Sequence, residues 1–162
     1  MNEQFFTTEV KGMERSLYRV AYSYMRSDED AADAVQDALL KGWEKRGALR
    51  EEQYFRTWLT RILINVCKAR LRKRHMELPL TEATASSQGD SLHEFHLRDA
   101  MADMDVKYRV PLTLFYLDGF SMKETARLLG LPEGTVKSRI SRARDKLRDM
   151  FKDEEVFEDE AL

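Results

Sequence analysis

The sequence predicts an all-α protein of two small helical domains joined by a flexible linker, the second carrying a helix-turn-helix. Three observations lead there. Apolar residues recur at helical spacing through most of the 162 residues, and no stretch alternates as a strand would. The spacing lapses once, from Met76 to about His93, where Pro79, Gly89 and small polar residues gather. Near the end, Ser121 to Arg148 reads as helix, tight turn and helix. The expected division is a first domain at 1–75, a linker at 76–93, a second domain at 94–152 and an acidic tail at 153–162.

In the first domain, Met13 to Met25 sets Leu17, Val20, Ala21 and Tyr24 on one side and forms the first firm helix. Ser27-Asp28-Glu29-Asp30 then supplies a cap and acids for the positive end of a second helix, about Asp30 to Glu44. That helix is expected to bury Ala31, Ala34, Val35, Ala38, Leu39 and Trp43. Its other face shows Asp33, Gln36, Asp37 and Lys41. Nothing within the helix demands that polar set, which suits either a solvated face or a surface that docks on a protein.

Lys45 to Gln53 is a polar connection turning at Gly47. The third helix, Tyr54 to about Arg74, has an apolar side of Phe55, Trp58, Leu59, Ile62, Leu63 and Val66. From Phe55 to His75 it also carries Arg56, Arg61, Lys68, Arg70, Arg72, Lys73 and Arg74, with no acid among them. Like charges this dense repel unless something anionic meets them.

Beyond the linker, helices are expected at about Leu92 to Met104 and Tyr108 to Leu117, the latter bearing Val110, Leu112, Leu114 and Phe115 before the Asp118-Gly119 turn. Ser121 and Glu124 then make a capping box, and Met122, Thr125, Ala126 and Leu129 give one apolar stripe. Gly130 stops that helix and Leu131-Pro132 bends the chain into the last one at Glu133. Its seam is Val136, Ile140, Ala143, Leu147 and Met150; Lys137, Ser138, Arg139, Ser141, Arg142 and Arg144 take the other faces. Gly134 and Thr135 in the first turn allow a phosphate close to free backbone N–H groups. Acids are sparse from Gly134 to Arg144, whereas a merely soluble face mixes both signs. Such a helix suits the major groove of DNA.

The net charge of −2 hides a segregation, because the tail from Asp153 to Glu160 is almost wholly acidic while the third helix is basic. With 35% charged residues there is no apolar run of the ~20 a membrane span needs, so no membrane contact is expected. The single cysteine, Cys67, excludes an intrachain disulfide and, with no secretion signal at the start, fits a cytoplasmic protein. His93 and His96 are spaced like metal ligands on a helix, but no second Cys/His pair completes a tetrahedral set. Neither a metal nor a cofactor is expected, and no nucleophile-and-base arrangement points to an enzyme.

Three stretches together resemble the extracytoplasmic-function sigma factors, the small two-domain members of the sigma-70 family of bacterial RNA polymerase. DEDAADAVQDALLKGW resembles the family's core-binding helix. YFRTWLTRILINVCKARLRKR resembles the helix that engages the −10 promoter element, and GFSMKETARLLGLPEGTVKSRISRARDKL the helix-turn-helix that reads the −35 element. The resemblance runs from about Met13 to Met150.

The resemblance implies roles, residue by residue. Asp33, Gln36 and Asp37 match positions that dock on the β′ coiled coil of core RNA polymerase. Ile62 and Asn65, with the loop from Lys45 to Gln53, match the part that captures an unstacked −10 base. Arg70, Arg72, Lys73 and Arg74 would hold nearby phosphates. Thr135, Lys137, Ser138, Arg139 and Arg142 fall where the family contacts −35 promoter DNA. The helices before them would dock on the β flap, and an anti-sigma factor is an implied partner. Ala69 stands where the family often has an acid, Arg70 where an aromatic is common, and Met104-Asp105 replaces the usual Leu-Pro. The rival reading is a stand-alone helix-turn-helix regulator that works without polymerase.

Overall fold

The structure, a computed structural model, describes residues 1–77 and 100–151. Most of the expected linker, His93, His96 and the acidic tail fall outside those residues. So does most of the expected helix at Leu92 to Met104, of which residues 100–104 are described; 100–102 are helical and 103–104 turn out of the helix.

Three helices form the first unit: α1 (Glu3–Met25), α2 (Asp28–Glu44) and α3 (Phe55–Glu77). α1 begins well before Met13, because the Asn2 side chain accepts the Phe5 N–H at 2.8 Å and Phe6 is buried. Ser27 caps α2 by accepting the Asp30 N–H, where Asp28, Glu29 and Asp30 also meet the positive helix end. α2 and α3 approach closely at Gly42, where a Cβ would lie 2.8 Å from Leu59 Cδ1. The core closes on Leu17, Val20, Ala34, Ala38, Leu59 and Leu63, none more than 1% exposed. Phe55 sits at its base, edge-on to Phe5 and Phe6 with ring centroids 5.7 and 5.5 Å away. Cys67 is buried here, and burial pushes its thiol up to about 12, so it is no reactive nucleophile.

The second unit holds α4 (Val106–Leu112), a wider helical turn (Thr113–Leu117), α5 (Met122–Leu129) and α6 (Glu133–Met150). Asp105 caps α4 by accepting the Lys107 N–H at 3.0 Å, which moves its start ahead of Tyr108. The helix expected to run evenly to Leu117 widens instead, its last turn closed by Asp118 N–H on Thr113 O at 3.0 Å. The capping box of Ser121 and Glu124 is formed, and Gly130 ends α5 at a φ of 64°. Val136, Ile140 and Ala143 make the α6 seam, with Leu147 half-buried; Met150 is 46% exposed and lies outside it.

The two units are not held apart. Val110, Leu114, Phe120 and Leu128 of the second share one apolar cluster with α1 and α3 of the first. Of the stripe expected on α5, Met122 and Ala126 face their own unit, whereas Leu129 packs with Leu128, which is 4% exposed, on the cluster shared with the first unit. Polar ties reinforce the contact. Arg109, 4% exposed, donates to Ser23 O and Met104 O. Arg61 donates to Arg127 O at 2.9 Å, and Arg56 donates to Asp118 O while lying 3.9 Å over the Phe120 ring. Arg19 places Nε and Nη2 each 2.8 Å from Asp118 Oδ1.

Asp118 has a testable consequence. Burial pushes its carboxyl above the ordinary value, against the pull of Arg19. The folded protein therefore keeps that proton longer than the unfolded chain does, and the stability it confers is present at low pH and lost as pH rises. Wild-type stability, measured against Asp118→Asn by chemical denaturation, should fall as pH is raised from about 4. A difference that grows with pH would mean that attraction to Arg19 outweighs burial.

Candidate nucleic-acid interface

On α6 the buried seam turns the opposite face outward. Lys137, Ser138 and Arg142 are exposed, and Thr135 and Arg139 are half-buried beside them. All five expected contacts thus share one helix. α5 begins in a capping box, but the first turn of α6, entered through Pro132, has no side-chain cap. Its leading N–H groups are left to solvent or a ligand.

Thr135, Ser138, Arg139 and Arg142 also line a cleft of about 420 Å³, together with Lys107 and Tyr108 from the start of α4. The Tyr108 hydroxyl accepts a hydrogen bond from Arg142, which with nearby Lys107 lowers its pKa. Lys107 and Lys146 place their ammonium groups 5.0 and 5.2 Å from the Tyr108 ring. Sequence reasoning missed Lys107 and Tyr108, because the partners they meet on α6 lie far along the chain. The signal available was a cation beside an aromatic at a helix start.

Midway along α3 Asn65 is exposed and Ile62 half-buried, and near its end Arg72 and Lys73 are exposed. Arg70 and Arg74 are differently placed. Arg70 is ion-paired with Asp37 and Arg74 with Asp30, so two of the crowded cations meet their anions on α2. Arg70 is held more firmly protonated by that bond. Both pairs are partly exposed, so they contribute little to stability and weaken with salt.

The polar face of α2 is present as expected, with Asp33 and Gln36 exposed and Asp37 half-exposed. Leu40, one turn on from Gln36, adds an apolar side chain 64% exposed to the same face. The connection to α3 makes two tight turns, Arg46–Ala48 and Glu52–Tyr54. Arg46 lies 3.9 Å over the Trp43 ring, and Tyr54 is 57% exposed. Trp58 is half-buried and packs on the core.

Among the described residues, no three His, Cys, Asp or Glu side chains gather as a metal ion would require. Among them too, no helix is long and apolar enough to cross a membrane.

Known proteins share both units. Residues 10–76 match Sigma-70 region 2, and residues 95–147 match Sigma-70, region 4. The ECF RNA polymerase sigma factor SigM of Mycobacterium tuberculosis is 37% identical over 137 residues, 82% of this chain and 70% of that protein. The ECF RNA polymerase sigma-E factor of Escherichia coli is 31% identical, over 73% of this chain and 72% of its own. Among solved structures, the sigma factor RpoE of Bartonella quintana, crystallised with the anti-sigma factor NepR, superposes with a TM-score of 0.79. That match has 30% identity and covers 91% of this chain and 96% of the other. CnrH, solved with the cytosolic domain of CnrY, superposes with a TM-score of 0.70 at 26% identity, over 94% and 91% of the two chains.

Proposed function

The chain belongs to the sigma-70 family, as an extracytoplasmic-function sigma factor that directs RNA polymerase to promoters, and from that premise we propose how its two units divide the work. The carrying observation is the exposure of two separate cationic reading surfaces, one on α6 and one at the end of α3, in a single chain. The α6 face, through Thr135, Lys137, Ser138, Arg139 and Arg142, enters the major groove at the −35 element. Asn65 and Ile62, with the turns before α3, hold an unstacked −10 base, and Arg72 and Lys73 grip the bared backbone. Asp33, Gln36 and Asp37 dock on the β′ coiled coil, and the second unit docks on the β flap. The chain performs no chemistry itself; bond formation belongs to the polymerase.

The packed arrangement bears on the order of events. Elements named −35 and −10 lie about 25 base pairs apart, or roughly 85 Å of B-form duplex at ~3.4 Å per pair. A compact chain of this length has a radius of gyration near 15 Å. Both elements are therefore read at once only after α4, α5 and α6 leave α1 and α3. Binding to polymerase supplies the separation, and an anti-sigma factor opposes it by holding the units together. The Bartonella structure, solved with its anti-sigma factor, superposes over nearly the whole chain and supports that role.

The test is to add the purified protein to core polymerase with candidate promoters and map transcript starts. Promoter-dependent transcripts are expected; their absence, with no binding to core, would sink the reading. Asp33→Lys separates it from a regulator that works alone. Asp33 is exposed, and its reversal leaves the Asp37–Arg70 pair in place. Affinity for core should fall at least tenfold, about 1.4 kcal/mol, with helix content unchanged. Unaltered affinity for core, measured by fluorescence anisotropy, would remove this face from the interface.

A further inference from the structure

The cleft between the start of α4 and the open face of α6 brings together with the assigned α6 residues two that these roles leave unused, Lys107 and Tyr108. Its volume, about 420 Å³, is in the range of small-molecule sites, but those are mostly apolar and this lining is polar and cationic. An anion suits it. Lys107 and Arg139 bring positive charge from opposite walls, and Ser138 adds a hydroxyl. Tyr108 accepts from Arg142 and from Lys107 through its two oxygen lone pairs, so its O–H proton remains to be donated. Asp105, the nearest acid along the chain, is turned to the Lys107 backbone N–H and does not line the cleft.

We propose that this cleft seats one backbone phosphate of the −35 duplex, held by the Lys107 ammonium and the Tyr108 hydroxyl, and so fixes the depth and register of α6 in the groove. The inference rests on the −35 reading above and extends the contact surface to a second helix. Two points of attachment, one on α4 and one on α6, restrain rotation about the α6 axis, which contacts along a single helix do not. A phosphate contact carries no base information, so its value lies in position.

Holoenzyme assembled from core polymerase and the full chain gives the test, with promoter affinity measured across a salt series. Lys107→Ala should weaken binding by the same factor on promoters that differ in −35 sequence. Losing one released counterion lowers the slope of log affinity against log salt by about 0.9, so its penalty should shrink ~3.5-fold between 50 and 200 mM salt. Tyr108→Phe removes an uncharged donor and should cost a constant factor with the slope unchanged. Thermal melts matching wild type confirm that both variants fold. Loss that varies with base sequence, or no loss in either variant, would overturn the proposal.

A free anion is the other source of the same chemistry. Inorganic phosphate is titrated into the full chain by calorimetry. Saturable binding that Lys107→Ala abolishes, with the promoter salt slope untouched, would assign the cleft to a free anion and overturn the DNA contact. Wild-type holoenzyme that binds no promoter would defeat the −35 reading itself, a failure separate from either variant's behaviour.

Discussion

Phe55→Ala is expected to cost the protein about 3–5 kcal/mol, the loss for a fully buried aromatic that leaves a cavity behind. The ring is 1% exposed and touches Phe5, Phe6 and Trp58, joining the first turns of α1 to the start of α3. Few neighbours can fill the gap, because Leu59 is itself wedged against Gly42. For a chain of this size the unfolding midpoint should drop by roughly 6–20 °C. A calorimetric shift below about 3 °C would mean that the aromatic cluster is not part of the core. Because α3 carries Asn65, Arg72 and Lys73, the variant should also lose promoter use, and restoring stability by Phe55→Leu should recover part of both.

Arg109→Met should cost about 2–4 kcal/mol by a different route. The substitution keeps an apolar stem but removes the donors to Ser23 O and Met104 O, leaving two buried carbonyls unmet at about 1–3 kcal/mol each. Part is returned, because the guanidinium is expensive to bury; its pKa is lowered to about 10, mainly by desolvation. Ser23 lies in α1 and Met104 ahead of α4, so one side chain ties the two units together. The loss should show first as separation of the units. X-ray scattering should give a larger radius of gyration at temperatures where helix content by circular dichroism is still that of wild type. Unchanged scattering with a lower melting point would place the effect inside the second unit instead.

The elements were legible in the sequence wherever periodicity and caps agreed. The α5 capping box, the Gly130 stop and the buried residues of the α6 seam are all local signals. Starts and junctions were harder. Asn2 as a cap gives little warning in a polar N-terminal run, and the wider turn after Leu112 leaves no mark in an apolar stretch that reads as even helix. Long-range pairing was invisible in principle. Nothing along the chain says that Leu128 faces α1 and α3, that Asp118 meets Arg19, or that Lys107 faces Arg142 across a cleft. The candidate site divides in the same way. Residue types and helix faces were readable, whereas the capture of Arg70 and Arg74 by α2 required knowing that the two helices lie side by side.

That side-by-side placement makes Asp37 a competitor of any anion that Arg70 would bind, and Arg70 a competitor of any cation that Asp37 would bind. A protein surface that draws the carboxylate away leaves the guanidinium unneutralised, and an anion that captures the guanidinium frees the carboxylate. By thermodynamic reciprocity each event favours the other by the same factor. Were the α2 face to take the protein partner proposed for it and the end of α3 a nucleic-acid strand, the two events would be linked through this one ion pair.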